Sequence, residues 1–281
     1  MDSFVFAAVL FAALCHAGWN AAVKRGLDPL AITILISIGA ALVGLAMLPF
    51  TGWPASAAWP WVIASVLIHI VYFAALIESY AAGDMGLVYP LARGSAPLLT
   101  ATAAAVWLQE QIGIAGWLGI GVLAAGVLLL SLRGSRDLEK LDRRAIGFAL
   151  LTAVTICAYT LVDGVGGRTA GNANAYTAAI FAGIGIAMAI YALARRGISV
   201  FALMLRHWKL GAAGGVMQVT SYGIAIWAMT VAPIALVGAL RETSVLFGTI
   251  LAVVFLKEPL LMARVAAALM IVCGLVLIRL S

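Results

Sequence analysis

The amino-acid sequence predicts an all-α integral membrane protein, in which ten transmembrane helices form two inverted five-helix repeats around a central cavity. Three observations predict this fold: the apolar composition, ten evenly spaced apolar runs and a similarity between the two halves of the chain. Hydrophobic residues make up 65% and charged residues 10% of the sequence, whereas about 25% of the residues in soluble proteins are charged. A surface in contact with water needs more charge, so the composition excludes a water-soluble protein.

Each apolar run is long enough to cross a lipid bilayer. About 20 apolar residues span a hydrocarbon core roughly 30 Å thick, so ten such runs with short loops account for nearly the whole chain. The first run has Asp2 and no basic residue before it, which favours a retained helix over a cleaved signal peptide. The predicted spans are approximately 4–23, 30–50, 59–82, 85–107, 112–132, 145–163, 173–193, 209–230, 233–255 and 260–279.

A charged stretch from Arg133 to Arg144 divides the chain into similar halves. We therefore predict a first five-helix repeat at 1–134, a linker at 135–144 and a second five-helix repeat at 145–281. Five spans is an odd number, so the second repeat must enter the membrane from the opposite side, an architecture typical of transporters. A shift of 148 residues aligns Arg93 with Arg241, Leu98 with Leu246, Val106 with Val254, Leu108 with Leu256, Glu110 with Glu258 and Gly126 with Gly274.

The loops on one predicted side of the membrane carry most of the positive charge. On the side that holds the termini, the basic residues are Arg168, between the sixth and seventh spans, and Arg279, at the end of the tenth. Because cytoplasmic loops are enriched in Lys and Arg, this distribution places both termini outside the cytoplasm. The same rule explains the net charge of +6 without a nucleic-acid partner.

Similar motifs occur at equivalent places in the two halves. The third and eighth spans carry the segments 72–80 and 221–227, and a Leu-x-Glu motif ending at Glu110 or Glu258 precedes the last span of each half. The first span contains Ala17-Gly-Trp-Asn-Ala21, and the sixth contains Cys157-Ala-Tyr-Thr160. In their order and duplication these motifs resemble the drug/metabolite transporter superfamily, specifically its EamA-type ten-helix permeases, over the full length of the chain.

This resemblance implies that spans 1–4 and 6–9 surround a central cavity while spans 5 and 10 lie outside. It also implies transport of a small molecule across the cell (inner) membrane. The family includes exporters of amino acids and other metabolites and carriers of sugars, nucleotide sugars and sugar phosphates, and compact members of this kind look most like amino-acid exporters. The small multidrug relatives use an acidic residue in their first span, and this first span has none. Family members are commonly drawn with both termini in the cytoplasm, whereas the charge distribution of this sequence places them outside. The sequence leaves these two orientations open.

Ionisable residues inside the spans are the candidate functional residues, because a charge costs about 2.5–3.5 kcal/mol at a helix centre. Arg93 and Arg241 are repeat equivalents, and an inverted two-fold brings equivalent positions to similar depth beside the central axis. Two guanidinium groups there would suit a carboxylate or phosphate. We expect one arginine to bind an anionic group of the cargo and the other to be neutralised, with Glu242 as a partner of either. The alternative for each ionisable residue is an ion pair that holds helices together.

Polar and aromatic side chains at helical spacing extend this predicted substrate site. His16, Trp19 and Asn20 share one stripe of the first span, and Tyr159 and Asp163 share one of the sixth. Ordinary helix packing is the alternative for such stripes. In the fourth span, Pro90 removes a backbone hydrogen bond and predicts a locally opened helix. The remaining predicted lining residues are Tyr72, Glu78, Tyr89, Tyr222, Trp227 and Ser244.

Three residues are candidates for proton coupling. Glu78, near the end of the third span, is the first choice, because a carboxylate removed from water can load and release a proton. His16 and His69 are the alternatives, since an unperturbed histidine titrates near neutral pH. A hydrogen bond between helices would explain each histidine equally well.

Other motifs indicate structure. Glu110 and Glu258 each precede a helix and are expected to cap its N–H groups. The sequence contains no phosphate-binding loop and no Cys/His cluster with metal-ligand spacing, so neither a cofactor nor a metal is predicted. Small residues in the fifth and tenth spans permit close helix contacts and are compatible with a homo-oligomer; they are Gly116, Gly121, Ala125 and Ala266 to Ala268.

The sequence therefore predicts a secondary transporter, not an enzyme, that exports amino acids or related small metabolites by alternating access. Its expected partners are a small-molecule substrate and membrane lipid. One alternative is a multidrug or organic-cation exporter, in which Glu78 and Asp163 would bind the cargo. The other is an intramembrane lipid-handling enzyme, which would need a nucleophile–base pair or a metal cluster within one cavity.

Overall fold

The computed structural model describes residues 1–23, 29–82, 85–132, 143–256 and 262–281, and these residues form helices and loops without a β-strand. A short 3-10 helix, Ser56–Ala58, precedes α3. The α-helices are α1 (Ser3–Val23), α2 (Pro29–Thr51), α3 (Trp59–Ala82), α4 (Met85–Trp107), α5 (Ile114–Leu132), α6 (Arg143–Thr169), α7 (Ala173–Arg196), α8 (Ser199–Arg206), α9 (Trp208–Val231), α10 (Ile234–Arg241), α11 (Ser244–Leu256) and α12 (Met262–Leu280).

The predicted all-α membrane fold is confirmed, because a helix lies at every predicted span. The ninth span consists of α10 and α11 together, and the short α8 was not predicted. By length and apolar composition, seven described segments can cross a membrane: Ser3–Asn20, Ala31–Thr51, Ser56–Leu76, Arg143–Thr169, Ala173–Arg195, Ile234–Leu251 and Met262–Leu280. Helix α5 contains a shorter apolar segment, Ile114–Leu130, and the more polar helices α4 and α9 occupy the two remaining predicted spans.

Large apolar side chains cover the outside of the helices. Soluble proteins rarely expose apolar patches beyond a few hundred Å², whereas lipid-facing helices require such a surface. The exposed side chains include Phe11, Leu45, Ile63, Leu118, Val154, Ile190, Leu269 and Val276. Together with the span lengths, this surface fits a protein embedded in a bilayer.

The ninth span is interrupted between α10 and α11. The N–H groups of Glu242 and Thr243 donate to carbonyl oxygens three residues earlier, at 3.0 and 3.1 Å. These are the tighter bonds of a 3-10 turn, and they separate the two helices at Arg241 and Ser244. The opening predicted at Pro90 is wrong, because α4 runs without interruption from Met85 to Trp107.

The predicted two-fold relates each of these packed pairs of helices either to itself or to another packed pair. Helix α2 packs against its repeat equivalent α7, and α5 packs against its equivalent α12. Helix α3 packs against α6, and their respective equivalents α9 and α1 also pack against each other. This is the set of contacts expected of two inverted five-helix repeats. The linker from 133 to 142 lies outside the described residues, so the domain boundaries stay a prediction.

Glycines allow α5 and α12 to approach closely. A Cβ added at Gly274 would lie 2.7 Å from the carbonyl oxygen of Gly119, and one at Gly119 would lie 2.9 Å from the carbonyl oxygen of Gly274. By contrast, a Cβ at Gly121 would meet nothing within 4 Å. Small residues of these two spans thus serve a contact within one chain, and a homo-oligomer stays a prediction.

Candidate functional site

A buried ion pair joins α4 to the interruption in the ninth span. Arg93 Nε lies 2.7 Å from Glu242 Oε2, and Arg93 Nη2 donates to Ser244 Oγ at 3.0 Å. All three side chains are buried. The hydrogen bond from the charged guanidinium group to Ser244 is stronger than a neutral one, and together with the ion pair it fixes α4 against the turn between α10 and α11. Arg93 is the neutralised arginine of the repeat-related pair.

Arg241 has a different environment from its repeat equivalent. It is buried at the C-terminal end of α10, where a positive charge is favourable to the helix dipole. Its guanidinium carbon lies 4.5 Å from the ring centroid of Tyr222, which is cation–π geometry, and it also interacts with Tyr159. Among the described residues, no carboxylate oxygen lies within 4.0 Å of its side-chain nitrogens.

Asp163 on α6 is fully buried and accepts hydrogen bonds from two phenols. Tyr176 on α7 donates to Asp163 Oδ1 at 2.9 Å, and Tyr222 on α9 donates to Asp163 Oδ2. Ser65 on α3 also interacts with this carboxyl group. Helices α3, α6, α7 and α9 therefore meet at one acidic side chain, and Tyr222 links it to Arg241.

An aromatic cluster surrounds this link. His69 stacks on Tyr159 with ring centroids 4.5 Å apart, and the edges of Tyr72 and Tyr222 approach the same two rings at centroid distances from 5.7 to 6.3 Å. His69 Nδ1 lies 2.9 Å from the carbonyl oxygen of Ser65 in its own helix. The structure thus brings together the predicted residues His69, Tyr72, Tyr159 and Tyr222.

The predicted stripe on α1 lies next to the arginines. The rings of His16 and Trp19 meet edge to face at 5.2 Å, and Asn20 Nδ2 donates to the carbonyl oxygen of His16 at 2.8 Å. Arg93 and Arg241 both lie close enough to His16 to act on it electrostatically. Helix α1 therefore forms part of the wall around the buried charges.

Apart from the ion-paired atoms of Arg93 and Glu242, two buried polar atoms near this wall have no hydrogen-bond partner among the described residues. They are the indole Nε1 of Trp19 on α1 and the amide Oε1 of Gln218 on α9, and these two helices pack together. Gln218 lies one helical turn before Tyr222, so the two side chains share a face of α9. Sequence reasoning missed Gln218, although its four-residue spacing from Tyr222 was visible.

Glu78 lies in a different environment from the predicted one. It forms an ion pair with Arg144 at 3.1 Å, and the two side chains are 47% and 66% exposed. The proton-coupling prediction assumed a desolvated carboxylate. In the structure Glu78, at the end of α3, is instead half exposed and paired with a cation, so its role in proton coupling stays a prediction. His16 and His69, the alternatives, do lie in the buried cluster.

Two further predicted lining residues are not part of this cluster. Trp227 lies near the end of α9, where its ring meets the edge of Phe4 at 5.9 Å and lines a cavity of about 440 Å³ beside Arg168. Trp227 is thus placed away from the contacts of the Asp163–Tyr222 cluster, and its role in binding cargo stays a prediction. The side chain of Tyr89 lies outside the described part of the structure.

Glu110 caps a helix, but a different one from that predicted. Its carboxylate accepts from the N–H groups of Ile234 at 2.8 Å and Ala235 at 3.1 Å, which open α10. Arg168 donates to the same carboxylate at 2.9 Å and to the carbonyl oxygen of Met229 at the end of α9 at 2.8 Å. Glu110 thus joins the two halves, and Glu258 lies outside the described residues.

The buried cluster can bind charge, but it contains no metal-ligand set. No group of three His, Cys, Asp or Glu side chains suited to a metal ion occurs in the described ranges. Among the described residues, the cluster contains the guanidinium group of Arg241, which has no carboxylate partner, and the carboxyl group of Asp163, which two tyrosines hold. It also contains two unpaired polar atoms, Trp19 Nε1 and Gln218 Oε1. Such groups fit a small ligand with an anionic group and a neighbouring polar group.

Comparisons with known proteins agree with this architecture. Residues 3–132, which contain α1 to α5, match the EamA-like transporter family. A solved structure described as "Crystal structure of protein" is 17% identical, with 99% of this chain and 96% of that chain covered and a TM-score of 0.77. At this level of identity the likeness shows a shared fold alone. A search of curated proteins gives no match.

Proposed function

We propose that this protein is a secondary transporter that exports amino acids or related small metabolites across the cell (inner) membrane by alternating access between its two five-helix halves. The observation that carries the proposal is Arg241, which is buried at a helix interruption without a described carboxylate within 4.0 Å. A guanidinium group offers parallel N–H donors to a carboxylate. The match of residues 3–132 to a transporter family supports transport as the activity.

The role of Arg241 is to bind the carboxylate of the cargo. Tyr222 holds the guanidinium plane by its ring face and is itself fixed by its hydrogen bond to Asp163. A donor held in position before the ligand arrives loses little conformational entropy on binding. The interruption after Arg241 leaves this segment less constrained than a continuous helix, as in other discontinuous transporter helices.

The unpaired atoms of Trp19 and Gln218 would bind a second polar group of the cargo. An indole N–H donates and an amide oxygen accepts, and a buried polar atom without a partner costs about 1–3 kcal/mol. A cargo that supplies the missing partners recovers this free energy. The amide oxygen of Gln218 is a suitable acceptor for the ammonium group of an amino acid.

The organic-cation alternative has less support from the structure. It would use Glu78 and Asp163 as cargo ligands, but Glu78 is paired with the exposed Arg144. Both oxygens of Asp163 accept from tyrosines, and its side chain is fully buried. Asp163 is therefore closed to an organic cation in this conformation, and Glu78 lies outside the buried cluster with an arginine already beside it.

The enzyme alternative meets a similar obstacle. Ser65, His69 and Asp163 come together, yet the serine lies between the other two, with its Oγ 3.3 Å from His69 Nδ1. A nucleophilic triad needs the histidine between the serine and the acid. Ser65 is also fully buried, so its hydroxyl is closed to a substrate.

The proposal is tested by binding of labelled leucine, and of its decarboxylated amine, to the purified protein in lipid nanodiscs. We expect leucine to bind and the amine to bind weakly, because only leucine carries the carboxylate. Arg241→Gln removes charge-assisted hydrogen bonds worth about 1.5–3 kcal/mol, so leucine affinity should fall roughly 10- to 100-fold. Arg144→Gln is the matched control, since it removes an exposed arginine and should leave affinity unchanged.

Two outcomes would count against this site. Binding of the amine alone would support the organic-cation alternative. Equal leucine affinity in Arg241→Gln and the wild-type protein would exclude Arg241 as the carboxylate ligand. Arg93→Gln is expected to act on stability instead, because it leaves the buried carboxylate of Glu242 unpaired.

A further inference from the structure

The two buried carboxyl groups of the central cluster have different partners. Glu242 lies 2.7 Å from a guanidinium nitrogen of Arg93. Asp163 is equally buried, but its hydrogen-bond donors are the neutral phenols of Tyr176 and Tyr222. An ionised carboxylate away from water is costly unless a cation compensates it. Asp163 is thus the buried acid whose charge has no direct cationic partner among the described residues.

Asp163 faces ionisable or polar groups from every long helix packed around it. Its own helix contributes Tyr159, and Arg241 of α10 lies against the ring of Tyr222, whose hydroxyl group donates to Asp163. Helix α4 contributes Arg93, which is already paired with Glu242. The remaining groups are Ser65 and His69 of α3, Tyr176 of α7 and Tyr222 of α9.

The size of the site restricts what Asp163 can bind. Each carboxyl oxygen accepts from one phenol, and no part of the side chain is exposed. An ammonium group of a cargo would have to displace a tyrosine to reach it. A proton needs no such space, and the surrounding hydroxyl groups of Ser65, Tyr176 and Tyr222 can all reorient to accept a hydrogen bond from a neutral carboxyl group.

Charge balance then connects Asp163 to the cargo site. The Arg93–Glu242 pair is neutral, so among the described Arg, Lys, Asp and Glu side chains of this cluster, Arg241 and Asp163 are the buried ones outside that pair. When the site is empty, an ionised Asp163 balances Arg241 through Tyr222. When a cargo carboxylate binds Arg241, it takes the place of Asp163 as the counter-ion of Arg241, and the buried Asp163 loses its charge if it takes a proton from water.

We infer that Asp163 is a proton-binding site, and that Asp163 and the cargo carboxylate are alternative counter-ions of Arg241. This inference rests on the proposed function. Because coupling between two binding events is reciprocal, proton binding at Asp163 strengthens carboxylate binding at Arg241. A carboxylate and a proton that bind together also cross the membrane together. Export is then driven by the outward gradient of the cargo and not by the inward proton gradient.

Infrared difference spectroscopy tests the proton site without any cargo. Spectra of the protein in nanodiscs at low and high pH should contain the C=O stretch of a protonated, buried carboxyl group. The band should be absent in Asp163→Asn and retained in Glu242→Gln. If Asp163→Asn fails to fold, Tyr176→Phe replaces it, because loss of one hydrogen bond should change the frequency of the band. The inference would be overturned if neither Asp163→Asn nor Tyr176→Phe changed the band, or if the wild-type protein gave no band at all.

Binding of a simple anion tests the link to Arg241. The probe is 4-methylpentanoate, which is leucine without its ammonium group, so it adds only negative charge. Its affinity for the wild-type protein should rise by up to about tenfold per unit fall in pH while one linked proton is bound. In Asp163→Asn the affinity for the probe should not change with pH, as long as the pH stays above the range in which the carboxyl group of the probe titrates. The same pH dependence in both proteins would contradict the link.

The two experiments separate this inference from the proposed function. If neither leucine nor the anion binds the wild-type protein, the proposed carboxylate site fails, and the infrared band still decides whether Asp163 binds a proton. If leucine binds in an Arg241-dependent way but the band does not depend on Asp163, the transporter proposal stands and the proton site is wrong.

Discussion

At the scale of single residues, the two repeat-related arginines show why equivalent positions have different roles. Arg93 is neutralised by Glu242 and Ser244, which belong to the second half. Under the shift of 148 residues, their counterparts in the first half are Gly94 and Ala96, which have no polar side-chain atoms. The first half therefore cannot neutralise Arg241 in the same way, and this asymmetry was present in the sequence.

Gln218 provides a test of the second part of the cargo site. Its buried amide oxygen has no hydrogen-bond partner among the described residues, so Gln218→Leu removes an unpaired polar atom and should leave the melting temperature unchanged or raised. Loss of a hydrogen bond to the cargo should lower leucine affinity about fivefold or more. Leucine binding and thermal unfolding of the same sample measure both effects. Gln111→Leu, in an exposed loop, is the control, and lower stability with unchanged affinity would show that Gln218 is structural.

At the scale of helices, the carboxylate of Glu110 determines how the ninth span begins. Helix α10 starts after Pro233 without a side-chain cap from its own residues, and Glu110 supplies the cap from the loop before α5. Because α10 positions Arg241 at its other end, the distant loop at Glu110 influences the cargo site. Sequence reasoning identified the capping chemistry and assigned it to the wrong helix, since a cap supplied by another segment leaves no local pattern.

Replacing Glu110 should destabilise the protein. Glu110→Ala removes the cap of α10 and the partner of Arg168, and losses of this kind cost about 1–3 kcal/mol. Thermal unfolding of the purified protein should show a clearly lower midpoint than the wild type. Glu78→Ala is the matched control, because exposed ion pairs contribute at most about 1 kcal/mol. Equal midpoints for the two variants would contradict the role assigned to Glu110.

The crossing of α2 and α9 depends on glycine. A Cβ added at Gly39 would collide with the carbonyl oxygen of Gly211, a backbone atom that cannot move without its helix. Gly39→Ala should therefore lower the unfolding midpoint and the yield of folded protein. Gly121→Ala is the control, because its Cβ would meet nothing within 4 Å and alanine favours a helix by about 1 kcal/mol. A Gly39→Ala protein as stable as Gly121→Ala would show that this crossing is looser than described.

At the scale of the whole molecule, the sequence predicted the positions of the ten helical spans, though not α8 or the division of the ninth span, because membrane spans are determined by local apolar length. The repeat also predicted that Arg93 and Arg241, with Glu242 and Ser244 beside Arg241, would lie near one another. The exposed ion pair of Glu78, the phenols around Asp163 and the place of Trp227 could not be predicted. These features depend on how helices from both halves rotate about their axes, and one-dimensional spacing does not contain this information.

The central claim is that this protein moves a carboxylate-bearing cargo through a site at Arg241. Counterflow tests it most directly: liposomes containing the protein are loaded with unlabelled leucine and diluted into labelled leucine. We predict transient accumulation of label with the wild-type protein and with Arg144→Gln, and loss of accumulation with Arg241→Gln. Accumulation that survives in Arg241→Gln, or none with the wild-type protein, would contradict the account.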